Sequence, residues 1–139
     1  MNKLLTLLLI AMFFNGQSLA AGSTSPADEV AQRMTALSVR QEVADTDSRV
    51  AQTRKLLDKA VKLTNEDPIA VESICSRYVG HLHDSAHIEA APLELLEALV
   101  TFGKAGKPMR DTLQDYVVAR KSVPTRGHVE AMAVLGKKK

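Results

Sequence analysis

Residues 67–87 read DPIAVESICSRYVGHLHDSAH, and this stretch decides the fold. The Asp67 carboxylate can accept from the orphan N–H groups of a helix's first turn. Pro68 after it has φ already fixed near the helical value and no N–H to leave unpaired, so the pair marks a helix start. From there Val71, Ile74, Cys75, Tyr78 and Leu82 recur mostly at three- and four-residue steps. That spacing puts them on one face of a helix and does not fit the period-two alternation of a strand. A helix is expected from Pro68 to about His87.

Outward from that segment, Ser25-Pro26, Ala91-Pro92 and Lys107-Pro108 repeat the proline start. Upstream, Val30, Ala31, Met34, Leu37 and Ala44 place a helix over 26–44. Val50, Ala51, Leu57, Ala60, Val61 and Leu63 resume the stripe after the polar run Asp45-Thr46-Asp47-Ser48. The run is read as a break, because a single helix of about forty residues would far exceed the usual length. Downstream, a helix over 93–102 is expected to send Leu93, Leu96, Leu99 and Val100 into the core, with Leu95 or Phe102 left for another surface. Gly103 and Gly106 turn the chain into a helix over 109–121, and a last one, 127–135, is short enough to need docking. Proline starts at 68, 92, 108 and 124 are too unevenly spaced for a superhelical repeat. The expected fold class is all-α, a small irregular helical bundle of about five to six helices forming one domain over 21–139. Residues 21–25 and 137–139 are expected to be disordered.

The first twenty residues have a different pattern. Lys3 precedes an apolar run over 4–14, interrupted only by Thr6, that ends at Asn15-Gly16, and Ser18-Leu19-Ala20 supplies small residues beyond it. A run of about eleven residues falls well short of the roughly twenty that cross a bilayer, so a cleavable signal peptide is expected over a retained anchor. Cleavage is placed after Ala20 or Ala21, and the location that follows is periplasmic or secreted. No stable membrane span is expected.

About 119 residues then remain, enough for one core. Phe13 and Phe14 leave with the leader, so the aromatic residues left are Phe102, Tyr78 and Tyr116. That argues against nucleic-acid partners and sugars, which are recognised by stacking on aromatic faces. Gly-rich phosphate loops and nucleophile elbows are absent from the sequence, and an enzyme is not expected.

Charge is unevenly distributed. Residues 67–103 carry Asp67, Glu72, Asp84, Glu89, Glu94 and Glu97 against Arg77 alone, whereas residues 104–139 hold nine basic and three acidic side chains. Either the two parts meet within the fold, or the charges are merely a solvated surface, or the basic end is a surface for an anionic partner. Lys104, Lys107, Arg110, Arg120 and Lys121 are the candidate interaction residues.

Three histidines crowd into residues 81–87. On a continuous helix His83 and His87 would lie about 40° apart and about 6 Å along the axis, so both imidazoles could reach one transition-metal ion. Asp84 is a weak third ligand, and His128 is within reach only through tertiary folding. No other cofactor is expected. Cys75, the one cysteine, is read as a small core residue or, because the chain is expected to be exported, as the source of an intermolecular disulfide and hence a homodimer. Glu94 and Glu97, three residues apart, form a candidate carboxylate pair that exposed positions on an amphipathic helix explain equally well.

The run Cys75-Ser76-Arg77-Tyr78-Val79, with Asp84 beyond it, resembles a helix of the Tai-type immunity proteins of type VI secretion, which are small, exported and helical. The resemblance covers about ten residues, and the further cysteines that those proteins share are lacking here, so no partner or binding residue is carried over. The function expected from the residues is that of an exported non-enzymatic helical protein binding another envelope or secreted protein. The alternative is a periplasmic metal- or small-ligand-binding protein using the His83 and His87 face.

Overall fold

A computed structural model describes residues 24–138. The expected signal peptide and its cleavage site lie outside the described residues. Among those described the chain is all-helical, with six helices and no strand. They are α1 (Pro26–Val39), α2 (Ser48–Thr64), α3 (Pro68–Ala86), α4 (Pro92–Phe102), α5 (Met109–Ser122) and α6 (His128–Gly136). None is long and apolar enough to cross a membrane.

The starts follow the capping chemistry. Ser25, Asp47 and Asp67 accept from the backbone N–H groups of Asp28, Arg49 and Ala70. Ala91 has no side-chain acceptor, so only the return bond of a capping box forms there, from Ala91 N–H to Glu94 Oε2 at 2.8 Å. Ser25, Lys137 and Lys138 are hydrogen-bonded, and Lys139 lies outside the described residues. Ser25 caps α1, and the Lys137 and Lys138 amides donate to the Ala133 and Leu135 carbonyls.

The expected break between the first two helices is present, but α1 stops at Val39 and does not reach Ala44. Arg40 turns into the left-handed region at φ 56°. The Gln32 amide donates to the Val43 carbonyl at 2.8 Å, tying the loop back onto α1 so that α2 can lie against it. Between these two helices the buried Thr35 hydroxyl donates to Thr53 Oγ1 at 2.8 Å, satisfying polar groups that burial would otherwise leave costly.

Helix α3 ends at Ala86, one residue short of expectation. His87 adopts φ 52°, and the Ile88 amide donates to the Leu82 carbonyl at 3.2 Å while both side chains are buried. With the His87 amide donating to the His83 carbonyl at 2.9 Å, this is an αL stop. Helix α4 touches every other helix, which explains why Leu95, expected at a surface, is as fully buried as Leu96 and Ala98. Neighbours on several sides leave only Thr101 exposed, with Leu93, Glu94, Glu97 and Val100 partly so. Helices α3 and α5 run in the same direction beside it. Tyr78 Oη donates to the Arg110 carbonyl at the start of α5, and Arg120 near its end reaches the Glu89 carbonyl beyond α3.

Candidate functional site

The parallel pair α3 and α5 leaves a half-open groove of about 310 Å³, lined by Ile74, Arg77, Tyr78 and His81 from α3 and by Arg110 and Gln114 from α5. On α3 these four positions follow helical spacing, so they form one edge. The Tyr78 ring meets His81 edge-on, with centroids 6.4 Å apart. Its hydroxyl, bonded at 3.3 Å to the Arg110 carbonyl, braces the two helices against each other. The α5 edge continues as Arg110, Gln114, Val118 and Lys121, which fall within about 80° of one another around the helix. Val118 is 47% exposed.

No carboxylate lines this groove, and its two guanidinium groups are poorly neutralised. Arg110 approaches Asp111 at 3.6 Å with its side chain 76% exposed, a pairing that solvent screens. Arg77 is exposed and makes no ion pair or hydrogen bond among the described residues. Four other arginines contrast with Arg77, while Arg126 is likewise exposed with no ion pair among the described residues. Arg33 pairs with Glu72, Arg40 with Glu89, Arg49 with Asp47, and Arg54 with Asp28 and Asp58. Arg33 of α1 and Arg40 just beyond it therefore meet carboxylates of the acidic middle, and in the basic end His128 meets Glu97.

Comparison with protein-family models, curated proteins and solved structures gives no match.

The expected basic surface is divided. Arg110 and Lys121 lie on the exposed stripe of α5. Lys104 and Lys107 instead line a separate hollow of about 240 Å³ with Lys138, where Lys107 Nζ donates to Asp115 at 3.0 Å. Arg120 does not belong to the surface. It is 6% exposed, its guanidinium reaches the Val123 and Glu89 carbonyls at 3.4 Å, and its Nε has no partner among the described residues. The cause is its place on the inner face of α5, where it closes the end of the α3–α5 seam.

His83 lies in the last turn of α3, and His87 is the C-cap residue that follows the helix. His83 Nδ1 lies 3.0 Å from Glu89 Oε1. The left-handed φ at His87 swings its Cβ about the N–Cα bond, off the row that His83 occupies. Among the described residues no group of three or more metal-ligating side chains is found. Cys75 is fully buried, and that burial, with Glu72 adding to it, pushes its thiol up to about 12. An intermolecular disulfide there would require α3 to leave the core, because the thiol faces the bundle interior.

Helix α6 is tied down by a polar chain that tertiary folding assembles. His128 Nε2 lies 2.7 Å from Glu97 Oε2, and its Nδ1 lies 2.9 Å from Tyr116 Oη. An ionised carboxylate only accepts, so Nε2 carries a proton, and in the neutral ring Nδ1 accepts from the tyrosine hydroxyl. Tyr116 is fully buried, and burial foremost, then Glu94, raises its phenol well above the ordinary range. Glu94 and Glu97 are thus separated in role: the first caps α4 and the second holds His128. Sequence reasoning missed Arg77, His81 and Gln114 as site residues. The available signal was Arg77 itself, the single basic residue in an acidic stretch.

Proposed function

We propose that this chain is an exported, non-enzymatic helical protein that binds another envelope or secreted protein, and that the α3–α5 groove belongs to its contact surface. One observation carries the reading. Among the described residues Arg33, Arg40, Arg49 and Arg54 are paired with carboxylates, whereas Arg77 has no partner and lies with Arg110 along an open groove with apolar walls from Ile74 and the Tyr78 ring. Arginine and tyrosine beside an aliphatic side chain are the residue types that anchor protein interfaces. The leader pattern of residues 1–20 supports export.

The test is crosslinking in the native compartment, followed by affinity recovery and mass spectrometry, with the chain tagged after Lys139 and an untagged control. One dominant, reproducible partner whose complex weakens with added salt is the expected result. Recovery of background proteins alone, or of a second copy of this chain alone, would overturn the reading.

A further inference from the structure

We infer that the α3–α5 groove receives an acidic peptide segment of the partner, with a carboxylate held between Arg77 and Arg110 and a neighbouring apolar side chain seated on Ile74 and the Tyr78 ring. The inference rests on the protein-binding reading above and adds the chemistry of the occupant. Three observations carry it.

The first is charge. Two guanidinium groups line one hollow without a lining carboxylate; Glu72 is engaged by Arg33, Glu89 by Arg40 and His83, and Glu97 by His128, while the exposed Asp84 stands two turns along α3 from Arg77, outside the lining. A guanidinium presents planar, forked N–H donors that match the two oxygens of a carboxylate. The Gln114 amide on the α5 edge offers a further donor and acceptor for a peptide backbone.

The second is size. The groove's roughly 310 Å³ is at the lower end of the 300–1,000 Å³ that small-molecule and cofactor sites occupy. A hollow of that capacity takes one or two side chains. Its open side lets the chain bearing them continue past the site.

The third is continuity. Along α5 the stripe from Arg110 through Gln114 and Val118 to Lys121 covers about 16 Å, with exposed apolar surface at Val118 between two cations. A segment alternating acidic and apolar residues would be complementary along that whole edge, whereas a free anion would use only the arginine end.

The experiment is selection of a random-peptide display library on the purified protein, on Arg77→Gln/Arg110→Gln, and on Lys104→Gln/Lys107→Gln. Thermal melts establish that each variant is folded. The expected outcome is enrichment, on the unchanged protein and on the lysine variant, of peptides carrying Asp or Glu beside Leu, Ile, Val or an aromatic residue. The selected peptide should bind the arginine variant about tenfold or more weakly, the effect of losing charge-assisted hydrogen bonds. Replacing its carboxylates by amides should weaken it to the same degree. No enrichment, enrichment without acidic residues, or equal binding to the arginine variant overturns the inference. Displacement of the peptide by millimolar inorganic phosphate that binds the groove by itself also overturns it, by making the site a receptor for free anions. Repeating the crosslinking with Arg77→Gln/Arg110→Gln separates the two levels: a partner recovered equally by both proteins leaves protein binding standing and removes the groove as its site.

Discussion

At Cys75 a single substitution and a single titration test the core. A thiol raised from 9.0 to about 12 stays protonated in the fold while the unfolded chain ionises, so stability declines as pH rises through that window. Tyr116, raised for the same reason, acts in the same direction. Denaturation midpoints should therefore fall steadily from about pH 9 upward, and Cys75→Ala should flatten part of that decline. A disulfide-forming reagent at pH 8 should leave the native thiol unmodified and react fully once denaturant is added. Fast reaction of the folded protein would mean that α3 does not present this side chain to the interior. At the other extreme, Asp47 is held down to about 2 by its side-chain and backbone hydrogen bonds with Arg49. Its share of stability is present above the usual carboxylate range and is lost as pH falls toward that value.

Helix α6, of nine residues, is too short to hold itself in water. Ala131 and Leu135 bury its inner face, and the link from His128 to Tyr116 and Glu97 fixes its first turn. Replacing His128 by Ala leaves the buried tyrosine hydroxyl without its partner, a loss of about 1–3 kcal/mol. Amide exchange should accelerate first over 129–136, while α1 and α2 keep their protection. Uniform acceleration across all six helices would show that α6 is no independent unit. A second element-level test concerns the end of α4. A Cβ on Gly103 would collide with the Leu99 carbonyl and come within 2.8 Å of Leu63 Cδ2. Because a backbone atom cannot give way as a flexible side chain can, Gly103→Ala should cost about 1–3 kcal/mol. A melting temperature unchanged from the parent would contradict that close approach.

Across the whole molecule, α4 is the helix against which the others pack. Leu96 is fully buried within it, so Leu96→Ala should lower the free energy of unfolding by about 2–5 kcal/mol. The loss should appear in one cooperative transition, seen together by far-ultraviolet dichroism and tyrosine fluorescence. Separate transitions would indicate that the α1–α2 pair and the α5–α6 pair unfold as units.

The sequence by itself determined the helical class, the starts at Pro26, Pro68 and Pro92, the break before α2 and the buried position of Cys75. These are set by contacts only a few residues long: a capping oxygen three positions from an orphan N–H, a proline that fixes one φ, and an apolar stripe at helical spacing. Helix ends were less legible, because Arg40, Asn65 and His87 take left-handed conformations without being glycine, and nothing in their composition announces it. Tertiary structure decided which charges survive. Glu72 is 39 residues from Arg33 and Glu89 is 49 from Arg40. Whether such groups meet depends on how helices stack, which a local pattern does not encode. The same stacking buried Arg120, joined His128 to Glu97, and left Arg77 and Arg110 facing one another's groove without a carboxylate between them.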